Sequence, residues 1–162
     1  MNEHPEDIPV KKLISSILKG ERFRRNGTNW TISINEEITR VVELTASRFG
    51  PTIYVGLGIW VESLHRQPAP KGYGLCDLFC RSAQLALTPE ENNHILSDDY
   101  PYSNEERLER LTALWSEVHK NFFDIFTDLD SVEHGALDPE RRWIVGHALS
   151  QHLQAKGLTH SP

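Results

Sequence analysis

The spacing of apolar positions changes period along the chain. Near the N-terminus Ile8, Leu13, Ile14, Ile17 and Leu18 approximate one helical face, which predicts a helix from Ile8 to Lys19 with Gly20 as its stop. The period then falls to two. Three runs rich in β-branched and aromatic residues, Thr28 to Ile34, Ile38 to Phe49 and Thr52 to Leu64, predict strands separated by turn residues. A loop at Asn35-Glu36-Glu37 sets Ile34 opposite Ile38, Ile32 opposite Arg40 and Trp30 opposite Val42. A tight turn at Gly50-Pro51 sets Ala46 opposite Val55, Leu44 opposite Leu57 and Val42 opposite Ile59. Both registers gather apolar residues on one face, as a half-buried antiparallel meander requires.

Gln67 to Gly74 reads as a Pro/Gly loop, and Leu75 to Leu87 reads equally as a fourth strand or a short helix. Thr88-Pro89-Glu90-Glu91 predicts a helical turn within an acidic connection. The helical period returns at Ser103, which forms a capping box with Glu106. Leu108, Leu111, Trp115, Val118, Phe122, Ile125 and Leu129 follow as a stripe, predicting one long helix to about Leu129 that covers the sheet. Asp138-Pro139-Glu140 predicts the start of a last helix, carrying Trp143, Ile144, Ala148, Leu149 and Leu153 and ending near Gly157. The expected fold is α+β. It is an antiparallel meander of three to four strands, one face covered by a long helix, with flanking N- and C-terminal helices. Residues 1–162 form one domain, with 1–7 and 158–162 as flexible tails.

Composition supports a globular chain, since 38% of residues are hydrophobic and 25% charged. The formal charge is 17 − 23 = −6, which argues against nucleic-acid and anionic-membrane partners. The polar, acidic first residues lack the pattern of a secretory signal, and no run suits a transmembrane helix. A cytoplasmic location is therefore expected. Cys76 and Cys80, if on one strand, lie roughly 13 Å apart, beyond disulfide reach. They read as reduced, buried thiols, and no metal or cofactor is expected.

The segments Phe23-Arg24-Arg25-Asn26-Gly27-Thr28-Asn29-Trp30, Val41-Val42-Glu43-Leu44-Thr45-Ala46-Ser47-Arg48-Phe49-Gly50 and Tyr54-Val55-Gly56-Leu57-Gly58-Ile59-Trp60 resemble a bacterial family catalogued as domain of unknown function 4304. Cys76 and Arg81 match a Cys and an Arg that follow in that family. Gly56 stands where the family has Asn, and Asp77 where it has His. The resemblance covers roughly residues 8–87. It implies no activity, so no catalytic residue is carried over from it.

Searches for catalytic patterns are negative. Gly56-Leu57-Gly58 lies inside a strand, with Val61 where a dinucleotide fingerprint needs its third glycine. His147 and His152 point about 140° apart on a helix and share no metal unaided. Neither a Gly-x-Ser-x-Gly nor a His-Glu-x-x-His motif is present. One constellation comes from the register. Opposite the core the sheet shows Thr31, Ser33, Thr39, Val41, Glu43, Thr45, Ser47, Tyr54, Gly56, Gly58, Trp60 and Glu62. Gly56 and Gly58 open a notch walled by Tyr54 and Trp60, with Glu43 opposite Gly58 and Thr45 opposite Gly56. Glycine in a strand marks close approach by something: a ligand, a partner, or the chain itself folding over. Glu43, Thr45, Tyr54, Gly56, Gly58 and Trp60 are thus the candidate site of a protein or small-molecule partner. The alternative is a small enzyme with Glu43 as general acid/base. A second candidate surface is the acidic loop of Glu90, Glu91, Asp98 and Asp99 with Tyr100 and Tyr102, suited to a basic partner.

Overall fold

A computed structural model describes residues 7–85 and 88–158. The expected tails therefore lie outside the described residues, apart from Asp7 and Leu158. Among the described residues six strands form one antiparallel sheet in sequence order. They are β1 (Arg24–Asn26), β2 (Asn29–Ser33), β3 (Ile38–Ala46), β4 (Ile53–Val61), β5 (Leu78–Arg81) and β6 (Ile144–Val145). The helices are α1 (Val10–Gly20), α2 (Ser82–Leu85), α3 (Pro89–Ile95), α4 (Asn104–Val118), α5 (Leu129–Leu137) and α6 (His147–Ala155). The α+β meander expected from the sequence is present, with six strands in place of three or four.

The β2–β3 register matches the pattern, with Trp30 opposite Val42 and Ile32 opposite Arg40. Asn35 Oδ1 holds that loop by accepting from the Glu37 and Ile38 amides, 2.8 Å each. The β3–β4 register is two residues away from the expected one. Leu44 faces Val55, Val42 faces Leu57 and Ala46 faces Ile53. The connection is longer than a Gly50-Pro51 turn, because pairing stops at Ser47 N to Thr52 O. Side chains alternate with period two, so a two-residue shift leaves each residue on its expected face. Trp30, Val42, Leu44, Val55, Leu57 and Ile59 are accordingly buried in the core.

Local chemistry sets most helix starts. Ser103 Oγ accepts from Glu106 N and begins α4, and Thr88 caps α3 with Pro89 in its first turn. The single helix expected from Ser103 to Leu129 is broken. A π-helical turn at His119–Phe123 inserts an extra residue, closed by the Asp124 amide on His119 O at 2.8 Å. That shifts the phase of the stripe: Phe122, Phe123 and Phe126 are buried, whereas Ile125 is exposed. Asp128 and Ser131 then cap α5 reciprocally. The last helix does not start at Asp138, which ends α5. Residues 144–145 pair with β5 instead, and α6 begins at His147. Core residues from α1, α4, α5 and α6 cover one sheet face, Leu18, Leu111, Trp115, Val132, Leu149 and Leu153 among them.

Candidate functional site

The second face of the sheet carries a separate small cluster. Val41, Trp60 and Cys76 are buried there, with Ala69, Tyr73 and Phe79 packed against them. The cover is the chain between His65 and Asp77, which runs back over β3 and β4 as a strap.

Each end of the strap is fastened. His65 stacks on Trp60 with ring centroids 3.4 Å apart, and its Nε2 hydrogen-bonds the Asp77 carboxyl at 2.8 and 2.9 Å. Asp77 is buried, and its Oδ2 also accepts from the Val61 amide at 2.8 Å. Burial pushes its carboxyl above the ordinary range, against the pull of the Val61 and His65 hydrogen bonds. In mid-strap the Tyr73 amide donates to Glu43 Oε2 at 3.2 Å. Arg81 Nε donates to the Tyr73 hydroxyl at 3.3 Å while its guanidinium lies over Tyr54, 4.6 Å from the ring centroid.

The strap fills the notch predicted from the two glycines. The Tyr73 ring lies against Gly56 and the Cys76 side chain against Gly58, so that a β-carbon at either glycine would collide. The neighbours across β3 are also corrected by the register: Glu43 faces Gly56, Thr45 faces Tyr54 and Val41 faces Gly58. Gly56, Gly58 and Trp60 are thus buried under the chain itself. Glu43 anchors the strap, and Thr45 and Tyr54 remain half-buried beside it. In the acidic loop Glu90, Glu91, Asp98 and Asp99 stay exposed, while part of its backbone is tied down. Asp98 Oδ1 accepts from the Val10 amide at the start of α1, and buried Arg107 donates to the carbonyls of Ser97 and Tyr100. Tyr100 stacks on His94.

What the strap leaves open lies beside it, over β2 and the start of β3. There a recess of about 300 Å³ is lined by Asn26, Asn29, Thr31, Ser33, Thr39, Glu62 and the strap residues Pro68 to Lys71. Its floor is hydrogen-bonded into a chain. Thr39 Oγ1 donates to Glu62 Oε1 at 2.7 Å and lies 3.0 Å from Ser33 Oγ. Asn29 is 7% exposed, and its buried Oδ1 has no hydrogen-bond partner. A buried amide oxygen left unpaired costs about 1–3 kcal/mol, so such an atom calls for an explanation. A larger cleft of about 970 Å³ runs past Ile125, Glu133, Leu137 and Trp143, but its best polar groups are occupied. Trp143 Nε1 donates to Gly135 O, and Glu133 binds Lys156 and His152.

Thr31, Ser33, Thr39 and Glu62 were on the face read from strand alternation. Asn29 shares their parity, yet nothing in the pattern marks it as buried. The Pro68–Lys71 wall and the His65–Asp77 clasp were not legible either, because they depend on where the strap docks. The two cysteines are free and buried on opposite faces of the sheet, Cys76 in the strap and Cys80 in the helix-covered core. Comparison with models of known families, with curated proteins and with solved structures finds no match.

Proposed function

We propose that this protein is a binding protein whose working surface is the open recess on the strap side of the sheet. The observation that carries the reading is the hydrogen-bonded polar floor of Ser33, Thr39 and Glu62 in a recess walled by Pro68 to Lys71. Ligand sites are concave, with a few placed polar groups against apolar walls, and Pro68, Ala69 and Pro70 supply such a wall here. A small molecule suits this shape better than a flat protein partner. An enzymatic role for Glu43 draws less support, since that carboxylate is occupied by the Tyr73 amide.

The net charge of −6 favours a partner other than nucleic acid or an anionic membrane. No helix among the described residues is long and apolar enough to cross a membrane. The two free thiols suit a reducing compartment, and we place the protein in the cytoplasm on that ground. The proposed kinship with the domain of unknown function 4304 family rests on the quoted segments and supplies no activity.

The test is a set of amide NMR spectra of the full chain with mixtures of small polar compounds. Saturable shifts clustered at Asn29, Thr31, Ser33, Thr39, Glu62 and Lys71 are expected. Shifts clustered on the helical side, or none, would overturn the reading.

A further inference from the structure

The hydrogen-bond chain in the recess has a direction, and that direction selects the ligand. Glu62 as a carboxylate only accepts, so the single Thr39 hydroxyl proton goes to Glu62 Oε1, 2.7 Å away. Thr39 Oγ1 and Ser33 Oγ are 3.0 Å apart, and with the Thr39 proton already placed, Ser33 must be the donor in that contact. Ser33 then turns only lone pairs to the open side of the recess. Glu62 retains its second oxygen as a further acceptor. The recess therefore offers acceptors at Ser33 and Glu62 beside donors at Asn26, Thr31 and Lys71.

A ligand that fits must bring groups that both donate and accept, as hydroxyls do. Charge narrows the class again. Glu62 and Lys71 are the charged side chains lining the recess, one of each sign, so the lining is formally neutral. A cation meets Lys71, and an anion meets the acceptor floor. From this we infer that the recess binds a small neutral polyhydroxylated molecule, of the size of a monosaccharide or a cyclitol. Its hydroxyls donate to Ser33 and Glu62, while its C–H face packs on Pro68, Ala69 and Pro70. This assignment rests on the reading of the recess as a binding site. The recess volume of about 300 Å³ lies at the lower end of small-molecule sites.

The experiment titrates the full chain with glucose, ribose and myo-inositol as neutral polyols, glycine as a zwitterion, acetate as an anion and putrescine as a cation. Amide shifts of Thr31, Ser33, Thr39 and Glu62 are followed, and the titrations are repeated with Ser33→Ala. Ser33 is exposed, so the variant keeps the fold, which its melting temperature checks. The expected result is saturable binding of at least one polyol, weakened tenfold or more in Ser33→Ala at an unchanged melt. Polyol binding that Ser33→Ala leaves intact overturns the assignment. Saturation by glycine, acetate or putrescine with no polyol response overturns the ligand class and leaves the recess a binding site. Silence from all six probes overturns both.

Discussion

Gly58 lies directly beneath the Cys76 sulfur: a β-carbon built on Gly58 would come within 2.5 Å of Sγ. The strap and the strand thus share one volume, and the absence of a side chain at Gly58 is what lets the strap lie flat. Valine suits a strand by propensity alone, which would have made Gly58→Val tolerable. Packing reverses that expectation. Gly58→Val should destabilise by about 1–3 kcal/mol or more through overpacking. Cys76→Gly should recover part of the loss in the double variant, because the two sites are in contact. Urea titrations of the four proteins measure this; strictly additive effects would mean that the strap does not press on Gly58.

Leu57 tests the other face. It is fully buried and pairs with Val42 and Cys80 on its two sides. Leu57→Ala should cost about 2–5 kcal/mol in equilibrium unfolding, and an unchanged midpoint would contradict its burial on the helix-covered face.

Two buried carboxyls give opposite pH dependences. Burial raises the Asp77 carboxyl, so the unfolded chain ionises first as pH climbs past about 3.9. Its contribution to stability is greatest below that pH and declines until the buried group has ionised. Burial also opposes ionisation of Glu133, but the hydrogen bonds from Lys156 and His152 outweigh it and lower that carboxyl. Its contribution is present above its unfolded value and is lost as pH falls through the folded one. Over a range of roughly pH 2 to 7, Asp77→Asn should gain stability relative to wild type as pH rises above about 4, and Glu133→Gln should lose it as pH rises toward about 4. Denaturant midpoints across that range would show both slopes, and identical slopes would refute the assignment.

The thiols report on the two faces separately. Burial raises Cys80 to about 12, and burial together with Asp77 and Glu43 raises Cys76. Neither should react with a thiol reagent at pH 8 while its cover is in place, since the thiolate is the nucleophile. Cys76 belongs to the strap, whereas Cys80 lies in the core, so Cys76 should label first through local opening. His65→Ala, which removes the ring from Asp77 and Trp60, should speed Cys76 and leave Cys80 unchanged. Mass spectrometry of time points resolves the two sites, and equal rates would mean that the strap does not open by itself.

Whatever depends on local chemistry and on parity was legible in the chain. Ser103 and Thr88 start α4 and α3 because a side-chain oxygen next to the first turn takes an orphan amide. Trp30, Val42 and Leu57 face the core because alternation sorts them, and a two-residue error in register could not move them to the other face. Only the tertiary structure decided the rest. Ile144 and Val145 carry a helical pattern, yet the free edge of β5 recruits them as a strand. The apolar spacing through Ile125 and Leu129 continues past the π-helical turn, where one inserted residue changes the phase without leaving a mark in that spacing. Above all, two glycines announce only that something comes close. That it is Tyr73 and Cys76, and that the open surface is displaced to Asn29, Ser33 and Glu62, follows from where the strap docks. Docking is settled by contacts between residues far apart in the chain, such as His65 with Asp77 and Tyr73 with Glu43, and no local period encodes them.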